Sequence, residues 1–548
     1  MKLSKRNSAL VATAIAAAML MTACGGSDEE GGDGGGTAEG GGTFSLQIAE
    51  PQNPLVPGNT TEQSGDRVIN ALWTGLAKFD EDNNLDYSGV AESMESDDNI
   101  LWTITLKDGW TFHDGTPVNA KSFVDAWNYT AASENAQEGS SFFNKIAGYE
   151  DVQAPVDPVT EEITGPAPAT ELSGLEVLDD LTFTVTLGAP FAQFPTIVTY
   201  NPFYPLPEAF FEDPEGFGSQ PIGNGPFQAD GEFVPGEGIT LSRFEDYAGD
   251  NKAKAEGVEF RVYAEVETAY TDAQDGNVDI VEVIPPDAIS TAEGEFGDRF
   301  IRTQSSQITY LGFPTNDERY ADPRVRQAIS MAIDREAIST AIFEGTRTAA
   351  DSFIAPVIDG YREGACEFCA LDVEQANELL DAAGFDRTEP VVLWFNSDGA
   401  HAAWMEAVGN QLRENLDVEF VLNGNLTFAE ILPLFDSGEV TGPYRIGWSF
   451  DYPSAESYLA PLFTTDASAN FSKYDNPEFN SLVAEGDQAG NPAGAVAAYQ
   501  AAEDLLVQDM PWAPLFFTEI QSVHSENVEN VTLDLFQRVD VTAVTVVG

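Results

Sequence analysis

Arg445 and Asp451 set one cation and one anion six positions apart, with Trp448 and Phe450 between them and Tyr452 following, in a chain poor in cations. A guanidinium presents a fixed fork of donors to a carboxylate, and a carboxylate accepts from an ammonium group. Such a pair suits a ligand with an amine at one end and a carboxylate at the other, and a free peptide is one such molecule. Each residue also has a plainer reading. Arg445 could be held in a structural ion pair by one of 91 acids, and Trp448 and Tyr452 fit an apolar core as well as a pocket wall. On a single strand, six residues would keep both charges on one face but roughly 20 Å apart. That exceeds an extended tripeptide, and Pro453 speaks against a strand running on.

Other candidate chemistry is thinner. His113 and Asp114 lie in a Phe-His-Asp-Gly stretch, where Asp and Gly suit a turn better than a catalytic pair. Gly223 and Gly225 lack the third Gly, the Lys and the following helix of a phosphate loop. There is no G-x-S-x-G elbow and no H-E-x-x-H helix, so a secreted hydrolase has no visible machinery. Three scattered histidines, His113, His401 and His524, offer no metal-ligand spacing, and no cofactor is expected.

The amino terminus says where these residues work. Lys2, Lys5 and Arg6 precede an apolar run from Ala9 to Met21 that is too short for an ordinary membrane span. It ends in Met21-Thr22-Ala23-Cys24, which resembles a bacterial lipobox, a signal whose Cys is lipidated and becomes the first mature residue. Residues 1–23 are therefore expected to be removed. Residues 24–43 would then form a lipid-attached, Gly-rich acidic tether with a mean reach of roughly 25 Å. The alternative is simple secretion after Ala23. Outside the cytoplasm, Cys366 and Cys369 point to a local disulfide closing a small loop; a redox-active pair is the sharper alternative, and nothing thioredoxin-like surrounds it.

The 548 residues allow two to four compact domains. With 91 acidic and 25 basic residues the net charge is −66, which makes nucleic acid and anionic lipid surfaces poor partners and fits a solvated acidic surface. Alternating strands are expected near 44–48 and 182–187, and a hairpin over 101–112 turning at Asp108-Gly109. Residues 131–175 read as an acidic surface insertion, and strands are expected near 227–244. Helices are expected over 324–343 behind Asp322 and Pro323, over 373–383 before Gly384, and over 494–509 before Pro511. Arg324 and Arg326 are expected to pair with nearby acids. The mixture without a repeat period indicates a multi-domain α/β or α+β protein.

Several blocks together resemble one family, the extracytoplasmic solute-binding proteins of peptide-type ABC importers (family 5, oligopeptide- and dipeptide-binding lipoproteins). They are ALWTGLAKFD at 71–80, VAES at 90–93, LKDGWTFHDGTP at 106–117, PIGNGPF at 221–227, LSRFEDY at 241–247 and the stretch from Tyr270 to Ile280. To these add DPRVRQAISMAIDR at 322–335, the segment 445–453, and FSKYDNPEFN at 471–480. The resemblance implies an α/β fold of the periplasmic-binding-protein type II, large peptide-binding subclass: two lobes joined by a hinge, with an extra subdomain on the first. The implied boundaries are 44–70 for the start of lobe I, 71–204 for the extra subdomain, 205–306 for the rest of lobe I, 307–519 for lobe II and 520–548 for the return to lobe I.

It implies a receptor, not an enzyme, that captures short peptides and hands them to a permease and its ATPase subunits. The receptor would sit, as a monomer, at the outer face of the cytoplasmic membrane, or in the periplasm if there are two membranes. In the family the Asp of W-x-x-D-Y holds the peptide's amino group, which maps to Asp451, and an Arg six residues earlier can reach the carboxylate, which maps to Arg445. One departure bears on specificity: many members read D-Y-P-D-P, whereas here Ser454 and Ala455 follow Pro453. Relatives of this fold also bind opines, haem, oligosaccharides or nickel complexes, and these remain the alternative ligands.

Overall fold

Two strands of 13 residues, Phe300–Gly312 and Trp512–His524, run antiparallel through the centre of the molecule and tie two separate cores together. The computed structural model describes residues 41–547 apart from 61, 81–83, 157–162, 286–287, 398–400, 451, 466, 468 and 535. The leader, nearly all of the tether with Cys24, and Asp451 lie outside the described residues. A first core draws on Phe44 to Phe260 and on Val528, Val539, Val541 and Val544 near the carboxyl end. A second draws on Ile308 to Phe517, and a smaller third packs Tyr270, Val278 and Phe296 against Val523.

The protein is thus a two-lobed α/β molecule. One sheet threads both lobes in the order Phe420–Asn423, Val391–Trp394, Tyr444–Trp448, Phe300–Gly312, Trp512–His524, Ile280–Val281, Thr43–Ile48, Gly257–Val262, Gly238–Arg243, Phe227–Ala229. The pairing of the two central strands shifts register between Gln304 and Ile308, where Ser305 and Ser306 are buried. Such a bulge concentrates bending in a few residues.

The extra subdomain carries its own four-stranded antiparallel sheet, ordered Ala91–Glu95, Leu101–Leu106, Thr182–Thr186, Leu175–Asp179. Leu101–Leu106 therefore finds its second partner in Thr182–Thr186, far along the chain, rather than across the expected hairpin. The chain does turn at Asp108-Gly109, with Gly109 at φ 94°, but beyond it only Thr111 bridges, to Pro117. Trp110 and Phe112 are buried, Trp110 edge-on to Tyr247, and that burial pulls the segment away from the strand it was to pair with. The acidic stretch 131–175 is likewise more than a surface insertion. Phe143, Ile146, Val152 and Leu172 are buried in the first core, and Ile146 bridges Leu187.

In the second lobe the expected helix over 324–343 is two helices, Pro323–Met331 and Arg335–Ile342. Asp322 caps the first, and Asp334 caps the second by accepting from the Ala337 amide, which ends the first helix despite unbroken apolar periodicity. Arg324 pairs with Asp322 as expected. Arg326 does not pair with an acid: it is buried, and its Nε donates to the carbonyls of Asp509 and Met510 at 3.0 Å. These carbonyls close the helix Pro492–Asp509, whose negative end suits a cation.

Cys366 and Cys369 are bonded to each other (S–S 2.00 Å) in a short 3-10 turn of the second lobe. So small a closed loop removes little denatured-state entropy, about 2 kcal/mol. Replacing both by Ser is expected to lower the unfolding free energy read from urea titration by an amount of that order. A loss above about 4 kcal/mol would show that the bridge does more than close a loop.

Candidate functional site

The segment carrying the two opposite charges begins as a strand and leaves it early. Tyr444–Trp448 pairs antiparallel with the central strand, Leu311 opposite Arg445 and Ile308 opposite Trp448. Alternation sends Tyr444 and Ile446 into the second core and turns Arg445 to the other face. The strand ends at Trp448, so a straight six-residue spacing to Asp451 is not imposed, and the helix Glu456–Phe463 follows after Pro453. Asp451 itself lies outside the described residues.

Arg445 is half-buried, and its Nη1 donates to Oδ1 of the buried Asn396 at 3.1 Å. Asn396 follows the strand Val391–Trp394 and carried no distinguishing mark in the sequence. Trp448 packs at the margin of the second core, and its indole N–H donates to the Ser457 carbonyl at 2.8 Å. That bond fixes the orientation of the Trp448 ring. Tyr452 is buried in the other core, edge-on to Phe191 at 6.4 Å, and its hydroxyl donates to the buried carboxylate of Glu456. Phe450 meets Phe536 at 5.3 Å, which meets Phe79 at 6.2 Å. Within nine residues the chain passes from one lobe's core into the other's.

Phe536 belongs to the carboxyl-terminal segment, which is anchored on the first lobe by buried charges. Arg538 bonds Asp66 at 3.2 Å and Asp534 at 2.7 Å, while Arg67 pairs with Glu282, which also accepts from the Val539 amide at 3.1 Å. Burial raises the pKa of both Asp66 and Glu282, and the neighbouring guanidinium groups oppose the rise. Removing one member of such a group strands a buried charge.

His113 is a structural clamp. Its Nδ1 accepts from the Gly223 amide at 3.1 Å, its Nε2 lies 3.2 Å from the Gly225 carbonyl, and burial pushes its pKa down to about 4. Asp114 spends Oδ1 on the amide and hydroxyl of Thr116. Gly223 is needed for approach, since a Cβ there would stand 1.9 Å from the Leu72 carbonyl oxygen. Among the described residues no group of three or more His, Cys, Asp or Glu side chains could hold a metal, and no helix is long and apolar enough to cross a membrane.

A model of the bacterial extracellular solute-binding proteins, family 5 (middle region), matches residues 87–470. The chain is 28% identical over 462 residues to the periplasmic murein peptide-binding protein MppA of Escherichia coli K12, covering 82% of this chain and 83% of that one. It is 28% identical over 500 residues to the periplasmic oligopeptide-binding protein OppA of Salmonella typhimurium LT2, covering 86% and 88%. The solved unliganded open form of MppA superposes with a TM-score of 0.82 at 24% identity, covering 93% of this chain and 98% of that one.

Proposed function

Because the chain belongs to the bacterial extracellular solute-binding proteins of family 5, we propose that it captures short peptides between its two lobes and delivers them to an ABC permease and its ATPase subunits. The observation that carries this reading is the course of residues 444–452, which enter both cores and so feel whether the lobes are apart or together. Closing over a ligand expels water, and a charged ligand terminus is then held only if an opposite charge meets it. Asp451 takes the peptide's ammonium group. Arg445 takes the carboxylate when the peptide's length brings it within reach, Trp448 is a wall beside them, and Tyr452 holds the segment against the first lobe. Main-chain groups of the peptide would pair as an added strand, leaving its side chains in roomy pockets. Binding of this kind reads length and ends more than sequence.

The same reading places the protein outside the cytoplasm, a monomer tethered by a lipidated Cys24 and free of catalytic activity. Its lobes would divide at 44–70, 71–204 and 205–306, then 307–519, with 520–548 returning to the first lobe. The similar proteins named for binding murein peptide and oligopeptides support it; the altered Ser454-Ala455 pair leaves room for another solute of the family. Mass spectrometry of ligand released from the protein purified from its own cells decides the matter. Short peptides are expected. Recovery of haem, an opine, a sugar or a nickel complex and no peptide would overturn the assignment.

A further inference from the structure

Away from Arg445, the extra subdomain touches the second lobe through a small set of charged groups. Lys145 reaches across with Nζ 3.7 Å from Oε1 of Glu456 and 4.4 Å above the ring of Phe191. Glu456 opens the helix Glu456–Phe463 and is 1% exposed; it is also the acceptor for Tyr452. Asp487 ends the helix Pro477–Asp487, and its Oδ1 accepts from the Tyr499 hydroxyl at 2.8 Å. Two bonds cross the same contact: the Ala192 amide donates to the Asp487 carbonyl at 2.7 Å, and Asn99 Nδ2 donates to the Ala489 carbonyl at 2.9 Å.

The charges do not balance. Two carboxylates share one ammonium group, and Lys145 is 36% exposed, so solvent screens its attraction. The groups facing Asp487 from the packed elements are Glu456, Lys145 and Tyr499; Tyr452 faces Glu456 from behind. Glu503 on the helix of Tyr499 is turned away to Ser352 and Arg362. Burial, then the charge of Glu456, push the pKa of Asp487 up to about 7, against the pull of Lys145 and the Tyr499 bond. Its place at the negative end of a helix acts in the same direction.

We propose that Lys145, Glu456 and Asp487 form a proton-sensitive clasp between the extra subdomain and the second lobe, which holds while Asp487 keeps its proton and loosens when it ionises. The clasp rests on the peptide-capture reading for its purpose, because Glu456 holds Tyr452 next to the amine anchor. Loosening it frees that segment and lowers peptide retention. The docked contact keeps a proton that exposed Asp487 would release near its ordinary 3.8. The docked form therefore binds more protons between that value and about 7, and raising the pH through this window favours opening.

Hydrogen exchange of the Ala192 amide, corrected for intrinsic rate, reads the contact directly in the full mature chain. Its protection is expected to fall on the order of tenfold from about pH 5.5 to about pH 8.5. Asp487→Asn should abolish the dependence and stay protected, while Lys145→Met should lower protection throughout. A flat wild-type profile, or an unchanged slope in Asp487→Asn, overturns the clasp. Should that variant not fold, carboxyl-carbon NMR of wild-type Asp487 takes its place: titration near neutrality supports the clasp, and an ordinary carboxylate value sinks it. Trialanine affinity, measured alongside, should weaken with rising pH in step with protection. No binding of trialanine or of the co-purified solute with an intact exchange profile would remove the peptide reading and leave the clasp, whereas binding with a flat profile would do the reverse.

Discussion

Asp451→Ala is expected to weaken the binding of a short peptide with a free amino terminus by a factor of about 10² to 10³. With water excluded by the proposed closing of the lobes, the ligand's ammonium group would be left desolvated without a counter-charge. Truncating one partner of a hydrogen-bonded, buried charge pair costs about 2–5 kcal/mol, and each 1.4 kcal/mol is a factor of about ten in affinity. Calorimetric titration with trialanine and with its N-acetyl form makes the assignment specific. Acetylation should cost the wild type about as much as the substitution does, and should cost the variant little more. If Asp451→Ala keeps full affinity while folded, the ligand is held by other groups and a non-peptide solute becomes the better reading. Arg445→Met should cost less, about tenfold, and only for peptides of one length. Its guanidinium is half-buried and already bonded to Asn396, so it does not wait unpaired for a ligand.

Arg335→Met is expected to destabilise the second lobe by about 3–5 kcal/mol. The guanidinium is buried, and its neighbours are backbone carbonyls: Nε donates to Pro514 at 2.7 Å, and Nη1 to Cys369 at 2.6 Å, Ser330 at 3.1 Å and Ile333 at 3.2 Å. Nη2 reaches the Ser330 hydroxyl at 2.8 Å. Among the described residues no carboxylate lies within ion-pair distance of it. Burial pushes its pKa down to about 9, which leaves it charged near neutrality. Removing the charge relieves its desolvation, a gain that opposes the loss. The stranded carbonyls decide the sign, because at about 1–3 kcal/mol for each unsatisfied buried group several together outweigh that gain. They also tie the break between two helices to the disulfide turn and the central strand, so no local shift can rehydrate all of them. Urea denaturation of this variant beside Arg324→Met, an exposed arginine paired with Asp322, gives the contrast. A difference below about 1 kcal/mol between the two would refute the role given to Arg335.

Much of the architecture was legible locally. Asp322 and Pro323 mark a helix start, Gly384 at φ 69° ends the helix Val373–Ala383, and Pro492–Asp509 stops before Pro511. These are events within one turn of chain, where a cap or a missing amide acts on its immediate neighbours. The blocks at 71–117, 221–247 and 322–335 were enough to indicate the two-lobed family to which the chain belongs. The break at 332–334 was not legible, because apolar periodicity runs straight through it and only the cap at Asp334 interrupts the helix. The candidate site divides in the same way. Arg445 and Trp448 stand beside the central strand, whereas Asn396, Lys145, Glu456 and Asp487 gave no signal at all.

By itself the sequence determined several helix starts and stops, the family and the pair of charges worth following. Only the tertiary structure decided which distant groups those elements bring together. Leu101–Leu106 chose Thr182–Thr186 over the nearby segment because Trp110 and Phe112 gain more by burial than by pairing. Arg326 and Arg335 chose carbonyls over acids although 91 acids were available, because the helix ends and strand they touch present oriented acceptors in a dry interior. Tyr452 left the strand's own core for that of the other lobe and so met Glu456, whose partner Lys145 lies more than 300 residues back. Periodicity reports which side of an element is buried, but it carries no term for what lies opposite. In a chain so rich in one charge, proximity in three dimensions selects the few ionic contacts that act.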